Sequence, residues 1–151
     1  MDVETMEAWD LQVQQSAALD DDAWMPFLCQ EHEELIIGAQ RLVEVCDAGD
    51  MNTAALLTME LEEALKEHFE LEEDQIFPRL RLRIRDSELV DELISEHRQG
   101  IQTVKTLEHM LQQMFSSDAG PEYVQMAART MLSLLSLHLE QEQEIFKSLL
   151  Q

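Results

Sequence analysis

The sequence predicts an all-α fold, an up-down-up-down four-helix bundle, and three observations lead there. Ala, Leu, Glu, Gln and Met dominate, and these residues lose little rotamer freedom in a helix, whereas strand-favouring Val, Ile, Thr and aromatics are scarce. Helix breakers are few, with only four Gly and three Pro. Four long segments carry apolar residues at helical spacing and are separated by short breaks. In a chain of 151 residues that pattern gives one domain whose consecutive helices are antiparallel neighbours.

The elements follow in order. Residues 1–21 are set apart as an N-terminal arm or short helix. There Met6, Trp9, Val13 and Ala17 make a weak apolar stripe, suited to lie on the bundle or against another subunit, before the acidic run Asp20-Asp21-Asp22. The bundle is assigned to residues 22–151. Its first helix runs from about Asp22 to Ala48 and stops at Gly49, a natural C-cap. Asn52 or Thr53 caps the second helix, which continues through Phe77, with Pro78 placed to kink or close it. Asp86-Ser87 open a third helix that reaches about Phe115. Ser116-Ser117-Asp118-Ala119-Gly120 forms a turn, and Pro121 is the first residue of the fourth helix, which runs to the C-terminus.

Charge narrows the function classes. The formal net charge is −22, from 10 basic and 32 acidic side chains, and 45% of the residues are hydrophobic, which argues for a folded chain. Such acidity repels phosphate backbones and anionic headgroups, so neither nucleic acid nor a membrane is an expected partner. No apolar run approaches the length of a membrane span, and Met1-Asp2-Val3-Glu4 lacks the basic-then-apolar start of a signal peptide. The cytoplasm is the expected location. Cys29 and Cys46 fall on one helix roughly 25 Å apart, too far for a mutual bridge, and read as reduced thiols. The basic stretch Arg79-Leu80-Arg81-Leu82-Arg83-Ile84-Arg85 is read as cations complementing a helix C-terminus, in preference to a docking patch for an acidic partner.

The chemistry lies in the histidines. His68 and His138 each have a glutamate four residues on, Glu72 and Glu142, and positions i and i+4 share one helix face. In so glutamate-rich a chain this spacing is weak alone. Placement carries more weight, because His32, His68, His97 and His138 fall one on each predicted helix. Counted from the first and third turns, all four lie about seventeen to nineteen residues away, hence at nearly one depth. The second turn fits less well, since His97 lies only about eleven residues beyond it, or about 16 Å along the helix.

Flanking apolar residues at helical spacing turn the four imidazoles inward. Buried imidazoles and carboxylates with no matching interior Arg or Lys call for metal. The halves also look duplicated. Glu31-His32 and Glu96-His97 each precede an isoleucine four residues after the histidine, and each His-x-x-x-Glu leads to Ile-Phe. This two-fold pattern suits two metal ions bridged by two carboxylates. Imidazole with carboxylate fits iron, manganese or zinc, with positions left open for O2, NO, peroxide or water.

The stretches Glu31-His32-Glu33-Glu34-Leu35, His68-Phe69-Glu70-Leu71-Glu72 through Ile76-Phe77-Pro78, Ser95-Glu96-His97-Arg98 and His138-Leu139-Glu140-Gln141-Glu142 through Ile145-Phe146 resemble the hemerythrin-like, or HHE cation-binding, family over about residues 22 to 150. That resemblance implies a non-haem site of two Fe ions with an oxo or hydroxo bridge. Its ligands would be His32, His68, Glu72, His97, His138 and Glu142, with the two glutamates bridging. It also implies a protein that binds, senses or reduces a small oxidant such as O2, NO or peroxide, the alternative being an iron-responsive sensor module without turnover. Oxygen carriers of the family have a further histidine where this chain has Ile101 and an aspartate where it has Gln143. The likeness is therefore closer to members linked to iron sensing, iron–sulfur repair, or peroxide and NO chemistry.

Other readings fit less well. Ferritin-like bundles use Glu-x-x-His, and no histidine here has a glutamate three residues before it. A histidine phosphotransfer bundle needs one exposed histidine, not four converging ones. His109 lies about 18 Å along the helix from His97 and is read as a surface or end-of-bundle residue. Tyr123 lies too far from His138 to serve as a ligand. Cys29, one turn before His32, is read as a small apolar residue. Glu73, Asp74 and Glu144 are read as solvated, with Glu73 the alternate ligand if the helix is distorted there. A homo-oligomer is compatible with all of this.

Overall fold

The structure, a computed structural model, describes residues 24–84, 87–116 and 120–150. The predicted arm over residues 1–21 lies outside them. Helix α1 spans Trp24–Asp47 and α2 spans Met51–Leu71, followed by a π turn over Glu72–Ile76 and a short helix α3 at Phe77–Arg83. Helices α4 (Ser87–Ser116) and α5 (Glu122–Leu150) complete the four long rods.

The first turn is tighter than predicted. Gly49 adopts φ 81°, a left-handed conformation that residues with a Cβ rarely occupy. Its amide donates to Cys46 O at 3.1 Å, and the Asp50 amide donates to Val45 O at 3.2 Å, so the last carbonyls of α1 are satisfied in a Schellman arrangement. Asp50 then caps α2, its carboxylate accepting from the Thr53 amide at 3.2 Å and the Thr53 hydroxyl at 2.7 Å. The cap is therefore Asp50, in place of the predicted Asn52 or Thr53, because one residue serves both helix ends.

The predicted continuous second helix is also corrected. Pro78 lacks the amide that would bond to Asp74, and its ring crowds that carbonyl. The ladder widens instead, with the Phe77 amide donating to Glu72 O five residues back. Beyond this turn α3 contacts both α4 and α5. At the fourth helix, the Gln125 amide donates to Pro121 O at 3.0 Å, so Pro121 precedes the helix and Glu122 opens it.

Each long helix packs against two neighbours: α1 against α2 and α5, and α4 against the same pair. Two apolar clusters fill the interior. The larger includes Leu42, Leu65, Leu107, Leu111 and Leu139, and the smaller gathers Trp24, Leu28, Phe77, Leu80 and Phe146 under α3. Along all four rods the candidate site residues fall between the two clusters. No helix of the described residues is long and apolar enough to cross a membrane.

Between α2 and α4 a pair of glutamates sits in tension. Partial burial and the hydrogen bond with Glu62 push the Glu108 carboxyl up to about 7, against the pull of Lys66 and Lys105. A carboxyl raised on folding is neutral in both states below its unfolded value, so it has no effect there. As pH rises from 4.5 towards about 7 the unfolded chain ionises first, and stability falls. Glu108→Gln removes that term, and its melting temperature relative to the unmodified chain is expected to rise progressively between those pH values. At the turn, Gly49→Ala is expected to destabilise by about 1–2 kcal/mol in urea titrations, the penalty for a Cβ in the left-handed region.

Candidate metal centre

Among the described residues the buried polar side chains are Glu31, His32, Thr58, His68, Glu72, His97 and Glu142. Thr58 is satisfied locally, donating to Ala54 O at 2.7 Å. The rest meet at one level of the bundle. His138 joins them with 11% of its side chain exposed.

All six predicted ligands come together. Glu72 Oε1 lies 3.0 Å from His68 Nε2 and 3.3 Å from His97 Nε2, while its Oε2 lies 3.7 Å from His32 Nε2. Glu142 mirrors it, with Oε1 3.2 Å from His138 Nε2 and 3.9 Å from His32 Nε2, and Oε2 3.0 Å from His97 Nε2. Each carboxylate thus faces three imidazoles, one of them from the opposite half of the chain. Two groups have ligating atoms within 4.8 Å of one another: His32, His68, Glu72 and Glu142, and His97, His138 and Glu142.

Protein groups alone do not satisfy this cluster. His32 Nε2, His68 Nε2, His138 Nε2, both oxygens of Glu72 and Oε1 of Glu142 are buried without a hydrogen-bond partner. Burial resists charge on Glu72, yet the facing histidines outweigh it and hold its carboxyl well below the usual range. Burial likewise opposes charge on His68 and His97, but Glu72, with Glu31 at His68 and Glu142 at His97, pushes them up to about 10 and about 9. Held by protein alone, the carboxylates draw protons onto the imidazoles as their countercharge. A cation placed among the same atoms does that work directly.

The outer ring nitrogens reveal a shell that ligand spacing did not identify. Glu31 Oε1 lies 2.9 Å from His68 Nδ1, and Glu96 Oε2 lies 2.6 Å from His138 Nδ1. The duplicated Glu-His dipeptide therefore does two jobs: the histidine faces the centre while the preceding glutamate holds the neighbouring helix's imidazole. The residues after the two central glutamates reach across the halves. Gln143 Nε2 lies 3.1 Å from His32 Nδ1, and Glu73 Oε2 lies 3.8 Å from His97 Nδ1. The chain is distorted at Glu73, as its role as alternate ligand required, but its carboxylate faces the outer nitrogen of His97. The carboxylates bonded to Nδ1 of His68 and His138 fix those tautomers and leave the Nε2 lone pairs for the centre. Gln143 does the same when its amide presents oxygen to Nδ1.

His97 is fixed by ring contacts as well. Phe69 stacks on it at 3.9 Å between centroids and 6° between planes, and Phe77 lies at 5.3 Å on a 21° incline. The residues set aside by sequence stay apart: His109 is exposed, Tyr123 is 71% exposed, and Cys29 packs against the smaller apolar cluster.

The family model for the hemerythrin HHE cation binding domain matches residues 26–150. No curated protein and no solved structure matches the chain. If the outer shell orients the centre, Glu31→Ala is expected to weaken metal binding by roughly 10- to 100-fold in competition with a chelator, the usual effect of losing such a partner. Glu96→Ala should weaken it less, because that carboxylate is 41% exposed and water can replace it, whereas Glu31 is 4% exposed.

Proposed function

The chain belongs to the hemerythrin HHE cation-binding family, and from that premise we propose that it holds two non-haem iron ions and uses them to bind, sense or reduce a small oxidant such as O2, NO or peroxide. The observation that supports this most is the set of six buried ligating atoms, drawn from α1, α2, the π turn and α5, that have no hydrogen-bond partner among the protein groups. Their chemistry fits the metal: neutral imidazole nitrogen and carboxylate oxygen suit iron in an octahedral field with positions left open. Iron bound there would supply redox chemistry and a coordination position for the oxidant.

The chain's own residues do the rest. His32, His68, His97 and His138 present Nε2 to the centre; the Nδ1 atoms of His32, His68 and His138 are held from outside, and the ring of His97 is held by Phe69 and Phe77. Glu72 and Glu142 span between histidines of both halves, so each carboxylate would be available to both ions. Apolar clusters above and below keep bulk water out and strengthen each electrostatic contact. Ile101, partly buried against the larger cluster, offers no nitrogen, so four histidines serve the pair. Fewer protein ligands favour a reactive or sensing site over reversible oxygen carriage.

A sensor without turnover is the second reading, favoured by the same unsatisfied atoms, since a cation that alone completes a buried cluster couples binding to folding. Metal analysis after aerobic and anaerobic purification is expected to give about two irons per chain, with His68→Ala and Glu142→Ala each losing about half or more. A colourless, iron-free chain after iron loading would overturn both readings. Peroxide consumption and NO-induced spectral change are expected of the iron-loaded chain. A large rise in melting temperature on loading with neither response would select the sensor.

A further inference from the structure

Of the six central residues five are at most 2% exposed, and His138, at 11%, is where the site meets the outside. A cavity of about 220 Å³ in the groove between α4 and α5 leads to that histidine. Its floor is buried and apolar, formed by Leu65, Phe69, Val104 and Met131. Leu134 and Leu137 stand on its rim, 55% and 54% exposed. Gly100 keeps the groove open: a Cβ there would already sit 3.5 Å from the Phe69 ring, and anything longer would project further into the space. Glu96 adds a carboxylate to the lining, in a chain whose net charge is −22.

We propose that this groove is a binding vestibule for a small, neutral molecule with an apolar body, and that Gly100 sets its width. Size and polarity select the occupant. A cavity of about 150 Å³ lined by apolar side chains is enough to take up benzene, so this one has room for a molecule of that size or slightly larger. The lining offers apolar contact over most of its surface, and Glu96 together with the overall field disfavours anions. Protonated organic peroxides and dissolved gases meet these requirements, whereas carboxylates and azide do not. What the molecule does at its inner end, beside His138, rests on the proposed iron chemistry; its binding in the groove does not.

The test is a titration of the full chain, carrying ¹³C-methyl methionine, with benzene and with benzoate as probes. Benzene is expected to shift the Met131 methyl resonance saturably, and benzoate to bind at least tenfold more weakly, as repulsion predicts. Gly100→Leu fills the groove and is expected to weaken benzene at least tenfold. Gly100→Ala, whose added methyl makes an ordinary contact and suits a helix, provides a folded variant with a smaller loss in the same direction. Equal benzene binding in wild type and both variants would overturn the proposal, as would benzoate binding as well as benzene. Shifts confined to the exposed Met59 and Met126 would mean surface adsorption and would also overturn it. So would sedimentation showing a dimer that Leu134→Glu dissociates, because a second copy would then cover the rim. Iron content is measured on the same samples: failure of probe binding with iron retained rejects the vestibule alone, and absence of iron with probe binding intact rejects the metal reading alone.

Discussion

The structure depends on one constraint: two carboxylates and four imidazoles face one another in a buried cluster whose most exposed member is His138, at 11%. Buried charge is tolerated only when it is paired, and here the pairing comes from the cluster itself, from Glu31 and Glu96 behind two of the imidazoles, and from protons or a cation. The rest of the architecture follows from that requirement. Four helices must arrive at one depth, apolar layers must close the site from both sides, and the outer nitrogens must be tied so that the inner ones converge. Among the described residues Thr58 is the one buried polar side chain elsewhere, and it is answered within its own helix turn. The bundle spends its polar interior in a single place.

Much of this was legible in the sequence because it depends on periodicity and counting. Helical spacing located the four rods, and distances from the turns brought His32, His68, His97 and His138 to a common level with Glu72 and Glu142. Failures occurred where a local competition decided the outcome. Asp50 closes α1 and caps α2 at once, an economy invisible to a rule that assigns one residue to each end. Pro78 announced a break, but whether its missing hydrogen bond produces a kink, a stop or a π turn depends on what the following residues can bury. The ladder answers the break with a π turn, and Phe77 and Leu80 beyond it are buried. The outer shell was half visible. The repeated Glu-His pairs were recognised as duplication, yet the roles of Glu31 and Glu96 needed the third dimension, since each acts on a histidine more than thirty residues away.

The two halves match in plan and differ in detail. Glu31 is enclosed and Glu96 is open to solvent; His32 meets the amide of Gln143, whereas His97 has the carboxylate of Glu73 nearby and is stacked between two phenylalanines. Carboxylate partners make an imidazole a stronger donor than an amide does. The cluster therefore has two unequal ends, one sealed and one beside the groove that reaches His138.

The crossed contacts carry a mechanical consequence. Glu31 and Glu96 bind histidines of their own hairpin, so each hairpin, α1 with α2 and α4 with α5, is fastened internally. Glu72, Gln143 and Glu142 reach over to the other hairpin's lone histidine, so the centre works as a clasp between two prefastened leaves. Emptying such a clasp slackens the seam between leaves before it loosens either leaf. The loss of a few ionic contacts in the interior would be felt at the outer edges of the protein as a change in how firmly its halves hold together.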